Sequence, residues 1–312
     1  MHLIITEQCK KNCSFCFTDC EARRSNNEMS IYKVKTILDK FYRTGVVGLM
    51  GGEPTEHSQF KEIMEEILVK RKLTLKFYSN FLFNDDMKEF LLWLFGQDVS
   101  LAFVLINGSE LDEGNRIEVF KKNYLPLFEL LKDKTDVGLS ITIDHKKTIE
   151  DYEKYYAFLK EHLPIKRIRI GLDLVGGKVI NNKKLGDIVY MFIEKTKQDD
   201  ILLNGDCQIP YCIFKNKDMN LVKEFISDCN ECLGVAADIK PNGNVAYCFP
   251  TEKKLFFDDV LDFNNPLEVQ RALGRKYIEE ENKIGKDKEC QNCDYFLSRW
   301  CHGICMGCRK WD

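Results

Sequence analysis

His2-Leu3-Ile4-Ile5-Thr6, followed within three residues by Cys9, Cys13 and Cys16, is the stretch on which the reading of this chain turns. An apolar core of Leu and Ile between polar ends predicts a short buried strand over residues 2–6. The C-x3-C-x2-C triplet after it, with Phe15 just before the last cysteine, puts three thiolates on one tight loop. Three thiolates can hold three irons of a [4Fe-4S] cube and leave the fourth iron open. An open metal position can bind and activate a substrate, whereas a closed one stores or passes electrons.

Outward from this loop the chain alternates. Residues 29–42 carry apolar side chains at helical spacing, with Ser30 placed to cap them, and Val46-Val47-Gly48-Leu49-Met50 reads as a second strand ending in Gly51-Gly52-Glu53-Pro54. Further strands are predicted over 73–78, 99–106, 137–143 and 168–175, each followed by a helical pattern, the last near 184–196. Six strand-then-helix units with short links predict a parallel α/β architecture, with closed barrel, open barrel and doubly wound sheet all compatible. The unusual residues follow strand ends: the cysteine loop, Gly51 to Pro54, Ser79-Asn80 and Asn107. That edge is where parallel sheets and barrels bind ligands.

From about residue 205 the pattern changes to turns, short strands and cysteines. The 312 residues include 14 cysteines, grouped at the two ends with none between Cys20 and Cys207. In a long chain without a signal peptide, this distribution favours metal or cluster ligation over disulfides. Residues 239–248 predict a hairpin turning at Pro241-Asn242-Gly243-Asn244, which would carry Cys248 back toward Cys232. A helix over 267–282 then leads to Cys290, Cys293, Cys301, Cys305 and Cys308. A net charge of -3 with mixed signs gives no support for nucleic acid as a partner. No apolar run reaches the length of a membrane span, so a soluble cytoplasmic protein is expected.

Together, the triplet and Gly51-Gly52-Glu53-Pro54 at two successive strand ends resemble the radical S-adenosylmethionine (SAM) superfamily. The resemblance implies a partial (β/α)6 TIM barrel over 1–204. Cys9, Cys13 and Cys16 would hold a [4Fe-4S] cluster whose open iron is chelated by SAM. Gly51, Gly52, Glu53 and Pro54 would bind the methionyl amino group: glycines allow close backbone approach, and a carboxylate can accept hydrogen bonds from an ammonium. Ser79, Asn80, Asn107 and Ser140 would contact methionyl or ribose groups, although a polar residue at a strand end also serves as a turn former. Arg167, Arg169 and Asp173 alternate on one strand face, which would meet substrate or SAM if it points into the barrel.

The tail resembles the SPASM extension or its shorter relative, the twitch domain, a small α+β iron-sulfur domain placed at 205–312. Cys232, Gly243 and Cys248 match the first half of that pattern, while Cys290-x2-Cys293-x7-Cys301-x3-Cys305 and Cys308 depart from the usual spacing of the second. By analogy Cys290, Cys293, Cys301 and Cys308 fall on one auxiliary [4Fe-4S] cluster. Cys232, Cys248 and Cys305 fall on another, completed by Cys229 or Cys212, with one or two clusters in all. The paired spacings of Cys290/Cys293 and Cys305/Cys308 also fit a zinc ribbon. Cys20 offers a fourth ligand if the first site is instead a closed electron carrier.

The implied activity is reductive cleavage of SAM to a 5′-deoxyadenosyl radical that abstracts hydrogen from substrate, with flavodoxin or ferredoxin as external electron donor. A ribosomally made peptide is the leading substrate class, with a thioether or carbon crosslink or an epimerised residue as product. A small molecule or a protein side chain is the alternative. Cys207, Cys212 and Cys229 exceed the core cysteine pattern, so Cys207 and Cys212 are candidate hydrogen-atom donors for epimerisation unless they bind iron. Only eight residues precede Cys9, so leader binding would need a separate protein or the barrel rim.

Overall fold

The computed structural model describes the chain except residues 17, 19, 44, 174–178, 181, 208, 227–235, 285–286, 302 and 304–312. Its strands are β1 (His2–Ile4), β2 (Val46–Met50), β3 (Thr74–Ser79), β4 (Leu101–Asn107), β5 (Asp136–Ile143), β6 (Arg167–Leu172), β7 (Leu202–Gly205), β8 (Asp238–Ile239), β9 (Val245–Ala246) and β10 (Phe256–Phe257). The helices are α1 (Cys20–Arg24), α2 (Ile31–Phe41), α3 (Phe60–Glu65, continued by a π-turn to Lys70), α4 (Asp85–Gly96) and α5 (Arg116–Leu131). They continue with α6 (Ile149–His162), α7 (Lys183–Gln198), α8 (Met219–Ile226), α9 (Pro266–Ile284), α10 (Lys288–Gln291) and α11 (Asp294–Leu297).

The chain packs as two compact units, Met1–Gly138 with Val235–Arg275 and Leu139–Gly234 with Lys276–Asp312. In the first, the strand order is β10-β9-β8-β1-β2-β3-β4, parallel from β8 through β4 and antiparallel beyond it. Parallel register aligns Ile4 with Met50 and Phe77 with Leu49. The loops after these strands therefore emerge along one edge, as anticipated from the sequence. Local chemistry accounts for the helices: Ser30 accepts from the Lys33 amide to start α2, and Asn84 accepts from the Met87 amide to start α4. The core is aromatic, with Phe77 packed against Phe60, Phe81 and Phe95, and Phe81 against Phe83 and Phe120. Rings of this size bury much apolar area under the strand ends. In α4, Leu91, Leu94 and Phe95 are buried, Phe90 is half-buried and Trp93 is exposed.

The hairpin is as anticipated. Lys240 and Asn244 close it at 2.8 Å (N to O), and Gly243 adopts φ +102°, a backbone conformation that favours glycine. Its placement was not legible: β8 lies alongside β1, and His2 Nδ1 meets Asp238 at 2.8 Å. The partner of Cys248 in that expectation, Cys232, lies outside the described residues.

In the second unit β5, β6 and β7 form a parallel three-stranded sheet. Leu139, Ile141, Ile143, Ile168 and Ile170 are buried, and Tyr152 and Tyr156 pack on Phe192 between α6 and α7. Strand β7 extends the six-strand reading by one. Four residues are too few for a period-two pattern to stand out, and β7 spans the expected division at 204/205. A smaller difference concerns a boundary: β1 ends at Ile4 rather than Thr6, and the short helix α1 follows the cysteine loop at Cys20–Arg24. Among the described residues, no helix is long and apolar enough to cross a membrane.

Candidate functional site

The cysteine loop is held to the end of β2 by backbone. Gly52 N donates to Thr6 O at 2.8 Å, and Glu53 N to Gln8 O at 2.7 Å, continuing the pairing of Ile5 N with Met50 O. A Cβ on Gly51 would lie 2.6 Å from Thr6 O, and one on Gly52 would lie 2.3 Å from Gln8 O and 2.4 Å from Glu7 O. The two glycines are thus required by the approach of the cysteine loop itself. Ligand approach, the role expected from sequence, is not needed to account for them.

Glu53 is buried, and its carboxylate accepts four hydrogen bonds from the chain. Oε1 receives Ser79 Oγ and Thr55 Oγ1, both at 2.8 Å, and Thr55 N at 3.2 Å, while Oε2 receives Asn80 N at 2.6 Å. Burial pushes the Glu53 carboxyl above its ordinary value, opposed by the bonds from Asn80, Thr55 and Ser79. Glu53 is therefore the clamp between the ends of β2 and β3. Asn80 Oδ1 accepts from Leu82 N, and its Nδ2 lies 3.9 Å from Cys9 Sγ. Pro54 is buried at the start of a 3-10 turn. Next to it His57 accepts from Gln59 N at Nδ1, so its Nε2 carries the proton and donates to Met29 O at 2.9 Å.

Cys13 is buried and Cys9 and Cys16 are half-buried, and none of the three is in a disulfide. Cys9 N donates to Arg23 O of α1, and Arg23 donates in turn to Lys11 O, so α1 braces the loop. Burial, reinforced by Glu53, pushes the Cys9 thiol up to about 11, and burial pushes Cys13 up to about 12. Both are protonated at neutral pH in the bare chain and ionise only as metal binds. Three soft sulfur donors on one braced loop fit three corners of a [4Fe-4S] cluster. Beside Cys9 is a cleft of about 430 Å³ walled by Gln8, Asn12, Asn26 and four cations, Lys10, Lys11, Arg23 and Arg24, with Glu56 as its acid.

Several contributors were not legible in the sequence. Asn123 on α5, fully buried, donates to both Phe81 O and Phe83 O at 2.8 Å and so holds the loop after Asn80. Lys240 in the hairpin turn bridges Glu7 and Glu252, each at 2.9 Å. Asn107 accepts from Ser109 N, the turn-forming role weighed for it.

In the second unit Ser140 is half-buried on β5, in register with Arg169 on β6. Arg169 pairs with Asp206, and Arg167 bonds Asn204 at 2.5 Å, so both arginines are engaged with β7 or the residue just beyond it. Asp173 is buried and lies 2.9 Å from His145 Nδ1, and Asp144 lies 3.6 Å from the same nitrogen. The three ligand-type atoms lie within 4.8 Å of one another at the carboxyl ends of β5 and β6. A carboxylate on Nδ1 leaves Nε2 as the proton-accepting atom. His145 went unnoticed in the sequence because a lone histidine after a strand has no pattern.

The cysteines of this unit divide. Cys207 is exposed after β7, whereas Cys212, Cys290, Cys293 and Cys301 line one small cavity with Ile180 and Phe296. Burial first, then the charges of Asp287, Cys301, Cys212 and Cys293, push the Cys290 thiol up to about 11. In the first unit Cys248 is half-buried, 3.4 Å from Thr251 Oγ1. Cys305 and Cys308 lie outside the described residues.

Comparison with known proteins agrees with this geometry. The family described as the Radical SAM superfamily matches residues 3–179. Among solved structures, Streptococcus suis SuiB bound to precursor peptide SuiA is similar, with a TM-score of 0.63 and 14% identity, covering 98% of this chain and 71% of that one. SuiB bound to S-adenosylmethionine is similar with a TM-score of 0.54 and 15% identity, covering 95% and 68%. Among curated proteins, no sequence matches this chain.

Proposed function

This chain belongs to the radical SAM superfamily, and from that premise we propose that it matures a ribosomally made peptide. The chemistry supplied by a loaded site is reductive cleavage of SAM to methionine and a 5′-deoxyadenosyl radical, which takes a hydrogen atom from the substrate. The single observation that carries the SAM reading is the union of the cysteine loop with Gly51 to Glu53 through backbone bonds of 2.7–2.8 Å. Cys9, Cys13 and Cys16 would hold the cluster. With the Glu53 carboxylate occupied by the chain, the peptide groups of Gly51 and Gly52 are the better acceptors for the methionyl ammonium. Asn80, close to Cys9, is next in position.

A peptide substrate is supported by the fold shared with SuiB over nearly the whole chain. We assign 1–204 to the SAM-binding barrel and 205–312 to the extension carrying auxiliary clusters. His145, held by Asp173, would accept at Nε2 a proton released by the substrate. The basic cleft beside Cys9 would receive an acidic electron donor such as flavodoxin or ferredoxin.

The test is anaerobic. Reconstituted protein with dithionite and SAM is expected to release 5′-deoxyadenosine, and Cys13→Ala to release none. Incubation with candidate peptides encoded beside its gene should then give a product of altered mass, or of inverted stereochemistry at unchanged mass. A cluster-loaded protein that yields no 5′-deoxyadenosine would be an electron carrier, and the proposal would fail.

A further inference from the structure

We propose that Cys212, Cys290, Cys293 and Cys301 are the four ligands of one auxiliary [4Fe-4S] cluster. This rests on the radical SAM reading for the presence of such a cluster. The ligand set itself comes from this chain's geometry. The family resemblance groups the last three with Cys308 and leaves Cys212, 78 positions before Cys290, as either a completing ligand of the other cluster or a spare thiol.

Three features bring Cys212 to the trio and hold it there. It lies in a 3-10 turn, Tyr211–Phe214, that opens after Pro210 and buries Tyr211, Ile213 and Phe214. Gly186 of α7 packs directly under that turn: a Cβ there would fall 1.8 Å from Ile213 O, so the turn cannot slide. Tyr211 stacks on Tyr295 with ring centroids 5.5 Å apart, and Tyr295 O accepts from the amides of Trp300 and Cys301 at 2.9 Å. One stacked pair thus joins the residue before Cys212 to the loop between Cys293 and Cys301. Cys293 N donates to Cys290 O at 3.1 Å, fixing the other two cysteines together. All four line the same cavity, walled by Ile180, Pro210 and Phe296, and none is in a disulfide.

Sulfur spacing selects the group. Tetrahedral zinc with bonds of about 2.3 Å places its sulfurs about 3.8 Å apart. Among the described residues, no three of these sulfurs lie within 4.8 Å of one another, since the one set that meets this limit is Asp144, His145 and Asp173. Three sulfurs on one zinc ion would meet that limit and these do not, whereas the thiolates around a cubane stand farther apart. Binding of the four cysteines to a [4Fe-4S]²⁺ core releases four thiol protons, transfers no electron and leaves a net charge of about -2. The core itself takes two ferric and two ferrous ions with four sulfides, so the reconstitution supplies iron in both states. A closed set of four protein ligands suits electron transfer, not substrate binding. It also removes Cys212 from the candidate hydrogen-atom donors and leaves Cys207 as the exposed one.

The experiment uses the full chain carrying Cys9→Ala, Cys13→Ala and Cys16→Ala, so that all bound iron is auxiliary. After anaerobic reconstitution with iron and sulfide, metals, sulfide, Mössbauer and EPR spectra are measured. Adding Cys212→Ala is expected to remove about four irons per chain, or to leave a three-iron cluster lacking the iron that Cys212 held. Cys207→Ala should leave the iron and sulfide content and the spectra at the parent's values. Cys212→Ser, which keeps the volume and an oxygen ligand, should retain iron but shift the spectrum, which keeps the test decisive if the alanine variant is unstable. The assignment is overturned if Cys212→Ala keeps the parent's iron and spectrum while Cys290→Ala loses a cluster, if Cys207→Ala loses as much as Cys212→Ala, or if the cysteine set binds one zinc in place of iron. Because the SAM-binding triplet is absent throughout, such a result would leave SAM cleavage untouched, and a failure to cleave SAM would leave this ligand count readable.

Discussion

Replacing Gly52 with alanine tests the mechanical union of the cysteine loop with β2. The new Cβ would sit 2.3 Å from Gln8 O, where ordinary contact begins at 3.4 Å, so the two segments must part by roughly 1 Å. Such a shift takes Gly52 N to Thr6 O and Glu53 N to Gln8 O, now 2.8 and 2.7 Å, beyond hydrogen-bonding length. Losing two buried backbone bonds with incomplete replacement costs about 3–5 kcal/mol, less about 0.5–1 kcal/mol gained from the stiffer unfolded chain. The expected net loss is about 2–4 kcal/mol. Denaturant midpoints of the apo chain read this directly, with Gly96→Ala as control. Nothing lies within 4 Å of a Cβ on Gly96 at the end of α4, so that variant should be neutral or more stable by up to about 1 kcal/mol. The reasoning is refuted if Gly52→Ala is within about 0.5 kcal/mol of the parent, or if Gly96→Ala falls as far.

Asn123→Ala should cost about 2–4 kcal/mol by orphaning the Phe81 and Phe83 carbonyls, and it should weaken SAM binding by equilibrium dialysis because the loop after Asn80 loosens. Unchanged affinity would separate that loop from the SAM site. Lys240→Met should cost about 1–3 kcal/mol near neutral pH by leaving Glu7 and Glu252 without their shared cation. Burial lowers the Lys240 pKa, but Glu252 and Glu7 outweigh it, so the folded value lies above the ordinary 10.5. Its stabilisation is thus fully present below 10.5 and lost as pH rises through the folded value. The difference between parent and variant should hold from about pH 7 to 10 and shrink above that, and a difference that vanishes by about pH 8 would refute the bridge. His145→Ala should leave 5′-deoxyadenosine release in place while slowing formation of the modified peptide about 10²–10⁴-fold, measured by mass spectrometry in single turnovers. Equal rates would exclude His145 as the proton acceptor.

What the sequence determined by itself was local and periodic. The strand leading into the C-x3-C-x2-C loop, the alternation of strands and helices, the Ser30 cap and the Pro-Asn-Gly-Asn hairpin are each dictated by neighbouring residues. Short-range sterics and burial therefore made them readable, and the strand-end motifs sufficed for the family. The tertiary structure decided what depends on residues far apart in the chain. Gly52 is needed because Glu7 and Gln8, more than forty positions away, press their carbonyls against it. The Glu53 carboxylate is occupied because Ser79 and Asn80 arrive from the next strand. The hairpin lies against β1 at the start of the chain, and Cys212 meets Cys290, Cys293 and Cys301 through a stacked tyrosine pair. Periodicity carries no information about such meetings. They are set by which surfaces the packed strands and helices leave to close on one another, and they are where the chemistry of this chain is held.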